Sequence, residues 1–476
     1  MRRELRQNRA HERGAGRGGE MTVRLGGGQG FYGDSVTSLP SLLDAGVDYL
    51  CLEALAELTL AILQKDRVRD PGAGYTRDLP AYLRLAMPYI ARGRTKVITN
   101  AGGINPVAAG QEAAKVATQL GLTGLRIATV TGDDLTPWLD RLAAMADGLA
   151  NHETGEPWHD FPGPVLFANA YLGARPIAAA LAAGADVVIT GRVADPSLFL
   201  APLIHEFGWE ADDWDLLAAG TAIGHLCECS GQSTGGNYSG DWWTIEQPWN
   251  LAYPIAECEP DGTAVITKPP GTGGRVDFDT VRHQLLYEVH DPAAYLTPDV
   301  VADFTELRLD ELGGDRVRVS GARGHPATTT YKALACYPAG WSGEARVAFG
   351  WPDAHAKARA TAAILRKRTE LAGIAVDEWL EEFWGVNALH GPVVPAGPTD
   401  ELPEVLLWVA WRCADAAAAG RVGRELVPLA LSAPPWGMTG AGRGMTGKPS
   451  QLLGLWPALV PKDLVDERVH HEITES

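Results

Sequence analysis

The stretch Ala185-Asp186-Val187-Val188-Ile189, followed directly by Thr190-Gly191-Arg192-Val193-Ala194-Asp195, fixes the reading of this chain. Its first part is apolar and β-branched between two glycines, which predicts a short buried strand. Its second part predicts a turn that carries a guanidinium and a carboxylate away from the end of that strand. A helical pattern at 176–183 precedes it, and the same alternation recurs upstream. Strands are expected at 22–25, 48–53, 96–99, 125–130 and 164–168, and helices at 37–45, 54–65, 79–92, 106–120 and 135–149. Strand, helix and strand at this spacing predict parallel pairing through crossover helices. Residues 21–205 therefore read as an α/β domain, either an open, doubly wound, Rossmann-like sheet or a partial barrel.

Beyond residue 205 the pattern changes. Strands are expected at 317–320, 331–337 and 345–349, then a helix at 352–371, a strand at 404–411 and a helix at 415–426. That order predicts a second, smaller α+β domain over 206–465 that completes the site, followed by a flexible end at 466–476. Two stretches rich in proline and glycine, 392–403 and 434–449, read as loops, the second suited to capping a pocket.

The chain has 476 residues, 46% of them hydrophobic, enough to bury more than one core. Its net charge is −18; in the first twenty residues six arginines against three glutamates give +3, which leaves −21 for the remainder. So acidic a surface repels phosphate backbones and anionic membranes, so neither nucleic acid nor membrane is an expected partner. Residues 1–20 read as a disordered basic tail, with Met21 as the expected true start. Six cysteines, at 51, 227, 229, 258, 336 and 413, are too sparse for a disulfide scaffold. A cytoplasmic setting and a homo-oligomer are the expectations.

Several turns bring together side chains capable of chemistry. Gly28, Gly30 and Gly33 fit G-x-G-x-x-G, and Glu53 stands twenty residues after Gly33, where a dinucleotide fold places its ribose acid. The alternative is a tight loop that needs only glycine. Asn100, Gly102, Gly103 and Asn105 precede Pro106 at an expected helix start, where free N–H groups attract an anion or Asn105 serves as the cap. Asp133 and Asp134 end another strand, one as a cap and the other as a base or metal ligand. Asn169, Arg192 and Asp195 leave strand ends on one side of the sheet. Arg192 either grips a substrate carboxylate or phosphate or pairs internally with Asp195.

His225, Cys227, Glu228 and Cys229 lack the C-x2-C spacing of a structural zinc site. On a helix, His225 and Glu228 are neighbours that can act as an acid/base pair, with Cys229 as a possible nucleophile; buried structural roles are the alternative. Asn237 follows in a glycine-rich turn. Lys268 and Thr272, in a stiff Pro/Gly turn, suit an anion or a plain surface loop.

Taken in order, Thr99–Pro106, Gly132–Leu135, Asn169–Ala174, Thr190–Asp195, Gly224–Cys229, Thr234–Asn237, Thr267–Gly274 and Tyr295–Phe304 resemble the motifs of the acyclic terpene utilisation (AtuA) family, over roughly residues 21–460. The resemblance implies a role near the carboxylation and hydration of branched acyl-CoA thioesters. Many members carry a further small ferredoxin-like domain at the C-terminus; this chain stops too soon after Leu464 to include it, so a separate small subunit is an expected partner.

The resulting expectation is an acid/base enzyme, of lyase or hydratase type, acting on a small anionic substrate. His225 and Glu228 move the proton, Arg192 and Lys268 hold anionic groups, and no cofactor is specified. A nicotinamide-dependent oxidoreductase and a non-catalytic subunit of an acyl-CoA carboxylase or hydratase are the alternatives.

Overall fold

The computed structural model describes residues 22–145, 148–386, 388–393, 399, 401–432, 438–439 and 446–476. The basic tail, Met21 and most of the expected 434–449 loop lie outside the described residues. Two compact units divide the chain: one holds the residues up to 160, 167–335 and 457–476, the other 161–166 and 336–456. The break expected near residue 205 therefore falls inside the first unit. Residues 206–335 belong with the parallel strands because their own strands extend the same sheet.

That sheet has ten strands: β1 (Val23–Gln29), β2 (Tyr49–Leu52), β3 (Lys96–Thr99), β4 (Arg126–Thr131), β5 (Val187–Thr190), β6 (Ile255–Cys258), β7 (Ala264–Thr267), β8 (Arg308–Glu311), β9 (Val317–Ser320) and β10 (His470–Glu475). Their order is β8-β9-β7-β6-β1-β2-β3-β5-β4-β10. β1, β2, β3, β5 and β4 run parallel, and antiparallel strands flank them on both sides. The architecture is thus mixed α/β, with a parallel centre between antiparallel wings.

Helices α1 (Glu57–Arg69), α2 (Leu79–Ala91), α3 (Pro106–Gln119) and α4 (Arg175–Ala182) link the parallel strands, and α5 (Ser197–Phe207) and α6 (Trp214–Glu228) lead from β5 to the antiparallel β6. The amphipathic spacing of α2 turns Tyr82, Leu83, Ala86, Met87 and Ile90 inward, against Leu50, Val97 and Ile127 of the sheet. α3 starts at Pro106 behind Asn105, whose side chain accepts from the Ala108 N–H. None of the described helices is long and apolar enough to cross a membrane.

Three expectations need correction. First, the strand expected at 164–168, which runs Phe167–Ala170, does not join the parallel set but pairs with the long strand Thr330–Gly350. Its four residues carry no periodicity that fixes a partner. The strands expected at 331–337 and 345–349 are one continuous strand, because Gly340, at φ +93°, bends the chain without ending it. Lastly, the end of the chain is β10, paired with β4 from His470↔Thr131 to Glu475↔Arg126. Backbone pairing with an open sheet edge holds it, which a sequence poor in apolar residues does not announce.

In the second unit, the strands Glu378–Trp384, Glu404–Cys413 and the later part of Thr330–Gly350 form an antiparallel sheet. The helices Ala354–Leu371 and Ala416–Leu426 cover it, burying Ala358, Ala362, Leu365, Val422 and Leu426 against Val347, Phe349, Leu407 and Val409. This antiparallel α+β unit spans 161–166 and 336–456, where the sequence reading placed a domain over 206–465.

Candidate functional site

The carboxyl ends of β1, β2 and β5 meet the C-terminal end of α6 around a cavity of about 650 Å³. α6 packs tightly there because β1 is glycine-rich: a Cβ on Gly27 would overlap the Cys227 carbonyl, and one on Gly30 would lie 2.8 Å from the Ser230 nitrogen. A second cavity, of about 580 Å³, shares Glu57, Arg192, Asp195 and Glu288 with the first. Tyr171, Tyr295 and Lys332 line only the second.

Arg192 stands between them, 3% exposed. Its Nη1 lies 2.9 Å from Asp195 Oδ1 and 3.9 Å from Glu53 Oε1, and donates to the Leu55 carbonyl. The guanidinium sits 4.2 Å from the centre of the Tyr171 ring. The internal pair with Asp195 is therefore made, while Nε has no hydrogen-bond partner among the described residues. Glu53 accepts from the Leu55 N–H at 2.6 Å and from Asn100 Nδ2 at 2.9 Å. Beneath Arg192, Asp133 Oδ2 accepts from the Arg192 N–H and from Asn169 Nδ2, both at 2.8 Å.

On α6, His225 and Glu228 fall one turn apart, with His225 Nδ1 2.9 Å from Glu228 Oε1. Glu228 lines the first cavity; His225 lines neither and is 1% exposed, beside the rings of Tyr295 and Phe304. Burial lowers His225 to about 4, so the imidazole is neutral. Burial, reinforced by the Asp195 and Glu288 carboxylates, pushes Glu228 well above the usual carboxylate range. Its Oε2 has no partner among the described residues. Glu57 behaves oppositely: burial would raise it, but Arg192 and Lys332 outweigh burial and hold it down at about 2. Tyr171 and Lys332 donate to it at 2.8 and 3.0 Å. One site thus favours the neutral form of one carboxyl and the ionised form of another, the division of labour that acid/base chemistry requires.

Cys229 lines the first cavity, but burial and then Glu228 raise its thiol, which leaves little thiolate for nucleophilic attack. Asn237 also lines it, at φ +53°, with Nδ2 donating to Gln232 Oε1 at 2.8 Å.

Gly30 and Glu53 also line the first cavity, while the remaining expected site residues line neither. Gly28 lies within β1, the Gly30 N–H donates to Asp34 at 2.9 Å and the Gly33 N–H to Asp78 at 2.8 Å. Carboxylates already occupy the donors a pyrophosphate needs. Gly102 and Gly103 shape the turn that ends in the Asn105 cap, and neither they nor Asn100 and Asn105 line the two cavities. Asp134 accepts from the Thr136 N–H at 2.9 Å. Lys268 donates to the Thr272 carbonyl at 2.9 Å and lies 3.2 Å from Asp315, and the Thr272 hydroxyl donates to Pro269. No group of three or more described histidines, cysteines, aspartates or glutamates is placed to hold a metal ion.

Glu57, Glu288 and Lys332 lie outside every motif read from the sequence, and Tyr171 and Tyr295 lie within such motifs without being singled out. Glu57 opens α1 like any first-turn acid, and Lys332 sits in an ordinary strand.

Asp133 gives a pH prediction. Burial raises it from 3.8 to about 6 against its two donors. A raised carboxyl binds its proton more tightly when folded, so it stabilises the fold below its unfolded value and loses that contribution as pH rises towards 6. Two units correspond to about 3 kcal/mol. Urea unfolding across pH 4–6, which spans most of that change, is expected to show Asp133→Asn losing less stability than wild type by about 2 kcal/mol; equal slopes would contradict the assignment.

The family profile described as "Acyclic terpene utilisation family protein AtuA" matches residues 23–471. No curated protein and no solved structure gives a significant match. With nearly its whole length matched, the chain belongs to the acyclic terpene utilisation (AtuA) family.

Proposed function

We propose that this chain is an acid/base enzyme of lyase or hydratase type, adding water to, or removing it from, a branched acyl-CoA thioester or a small carboxylic acid. The observation that carries the reading is Glu228: a cavity-lining carboxyl whose burial favours its protonated form, backed by a neutral imidazole. Family membership supports a substrate from acyclic terpene utilisation.

In dehydration, Glu228 donates its proton to the leaving hydroxyl as the C–O bond breaks, and water departs. Asp195, which borders both cavities, takes the proton from the adjacent carbon, and the electron pair becomes the carbon–carbon double bond. Burial raises Asp195 while Arg192 keeps it ionisable, which makes it a better base than Glu57. Arg192 Nε is the donor available to the substrate's carbonyl or carboxylate. Hydration is the same path reversed. His225 is a positioning residue, since it reaches the cavity only through Glu228.

The test is direct. Branched 3-hydroxyacyl and enoyl thioesters of CoA, and the matching free acids, are incubated with wild type and with Glu228→Gln while the conjugated thioester absorbance is followed. Interconversion by wild type alone is expected. Failure of all these compounds both to turn over and to raise the melting temperature would end the proposal.

A further inference from the structure

The loop 238–250 carries Trp242, Trp243 and Trp249 at 63%, 70% and 84% exposure, three large apolar side chains facing outward within eight residues. Phe31, at the mouth of the first cavity, is 56% exposed. Isolated exposed hydrophobics are ordinary, but Trp242 and Trp243, whose ring centres lie 5.8 Å apart, pair on the surface with Trp249 seven residues from the first, and such an aromatic cluster marks an interaction surface.

The loop is braced rather than loose. Gly274 donates its N–H to the Glu246 carbonyl at 2.8 Å, and Asn250 donates to Gln247 at 2.8 Å. Arg275 ties the loop from the side, donating to Thr244 Oγ1 at 2.7 Å and to Asp241 Oδ1 at 3.0 Å. The tryptophans are thus presented on a pre-formed scaffold, which lowers the ordering cost of association.

We infer that this loop is the contact surface of a homodimer, with the three tryptophans of one copy packed against those of a second. The area fits. A tryptophan side chain offers roughly 250 Å², so at these exposures the three present roughly 540 Å² per copy. Buried completely, two copies hide about 1,100 Å², which clears the roughly 1,000 Å² needed of a biological interface and leaves neighbouring atoms to supply the rest of a stable one's roughly 1,200–2,000 Å². A two-fold contact of one patch with itself is also the commonest form of homo-oligomer. An anionic membrane fits poorly: Asp241 and Glu246 border the patch, Arg275 is held by Asp241 and Asp277, and the chain carries −18.

Sedimentation velocity on the full chain tests this, comparing wild type with the triple variant Trp242→Ser/Trp243→Ser/Trp249→Ser. Wild type is expected to sediment as two chains and the variant as one, with unchanged far-UV circular dichroism. In wild type, raising the protein concentration is expected to slow amide hydrogen exchange at 242–251. A wild type that is monomeric at tens of micromolar, a variant that remains dimeric, or a monomeric wild type that pellets with phosphatidylcholine vesicles would each overturn the inference.

Discussion

Replacing Glu228 with Gln is expected to lower kcat by about 10²–10⁴ while leaving KM and melting temperature close to wild type. The amide copies the shape and neutrality of the protonated acid, and so preserves packing beside His225 and Cys229, but it has no proton to give. The pH profile supplies a second readout. Activity of the wild type falls on the alkaline side as Glu228 loses its proton, and removal of the neighbouring imidazole by His225→Gln is expected to move that limb rather than abolish turnover. Steady-state kinetics over a pH series checks both. A Glu228→Gln enzyme with undiminished kcat would remove the residue from proton transfer.

The second large effect falls on stability. Arg192→Met takes away the buried cation that faces Asp195 and Glu53 and the donor to the Leu55 carbonyl. Breaking a buried ion pair from one side costs about 3–5 kcal/mol, because the carboxylates stay behind uncompensated. Arg192→Lys keeps the charge but loses the planar fork, so an intermediate loss is expected. Adding Asp195→Asn to Arg192→Met removes one of the stranded charges and is expected to recover part of the stability. Urea midpoints of the four proteins give the comparison; an Arg192→Met variant as stable as wild type would refute the role assigned to the cation.

The parallel centre of the sheet was legible because β2, β3, β4 and β5 are short apolar runs bounded by turn residues, with amphipathic helices between them. What escaped was pairing decided at long range. Phe167–Ala170 finds its partner more than 150 residues later, and β10 is held by the backbone edge of β4 rather than by an apolar face. In the site, Arg192 and Asn237 stand next to glycines, and Asp195, Glu228 and Cys229 lie within four residues of one, so the polar cluster was readable from local sequence. Glu57, Glu288 and Lys332 reach the same space from a helix start, a loop and a strand without any motif. The division of roles between His225 and Glu228 was not readable either. Helical spacing makes the two neighbours, and only the packing of Tyr295 and Phe304 around the imidazole decides which one faces the cavity.

The account rests on the protonation of one carboxyl at neutral pH, which infrared difference spectroscopy measures directly. The wild-type-minus-Glu228→Gln spectrum at pH 7 is predicted to contain the C=O stretch of a protonated carboxylic acid, displaced in D₂O. A difference spectrum holding only the carboxylate bands would contradict it.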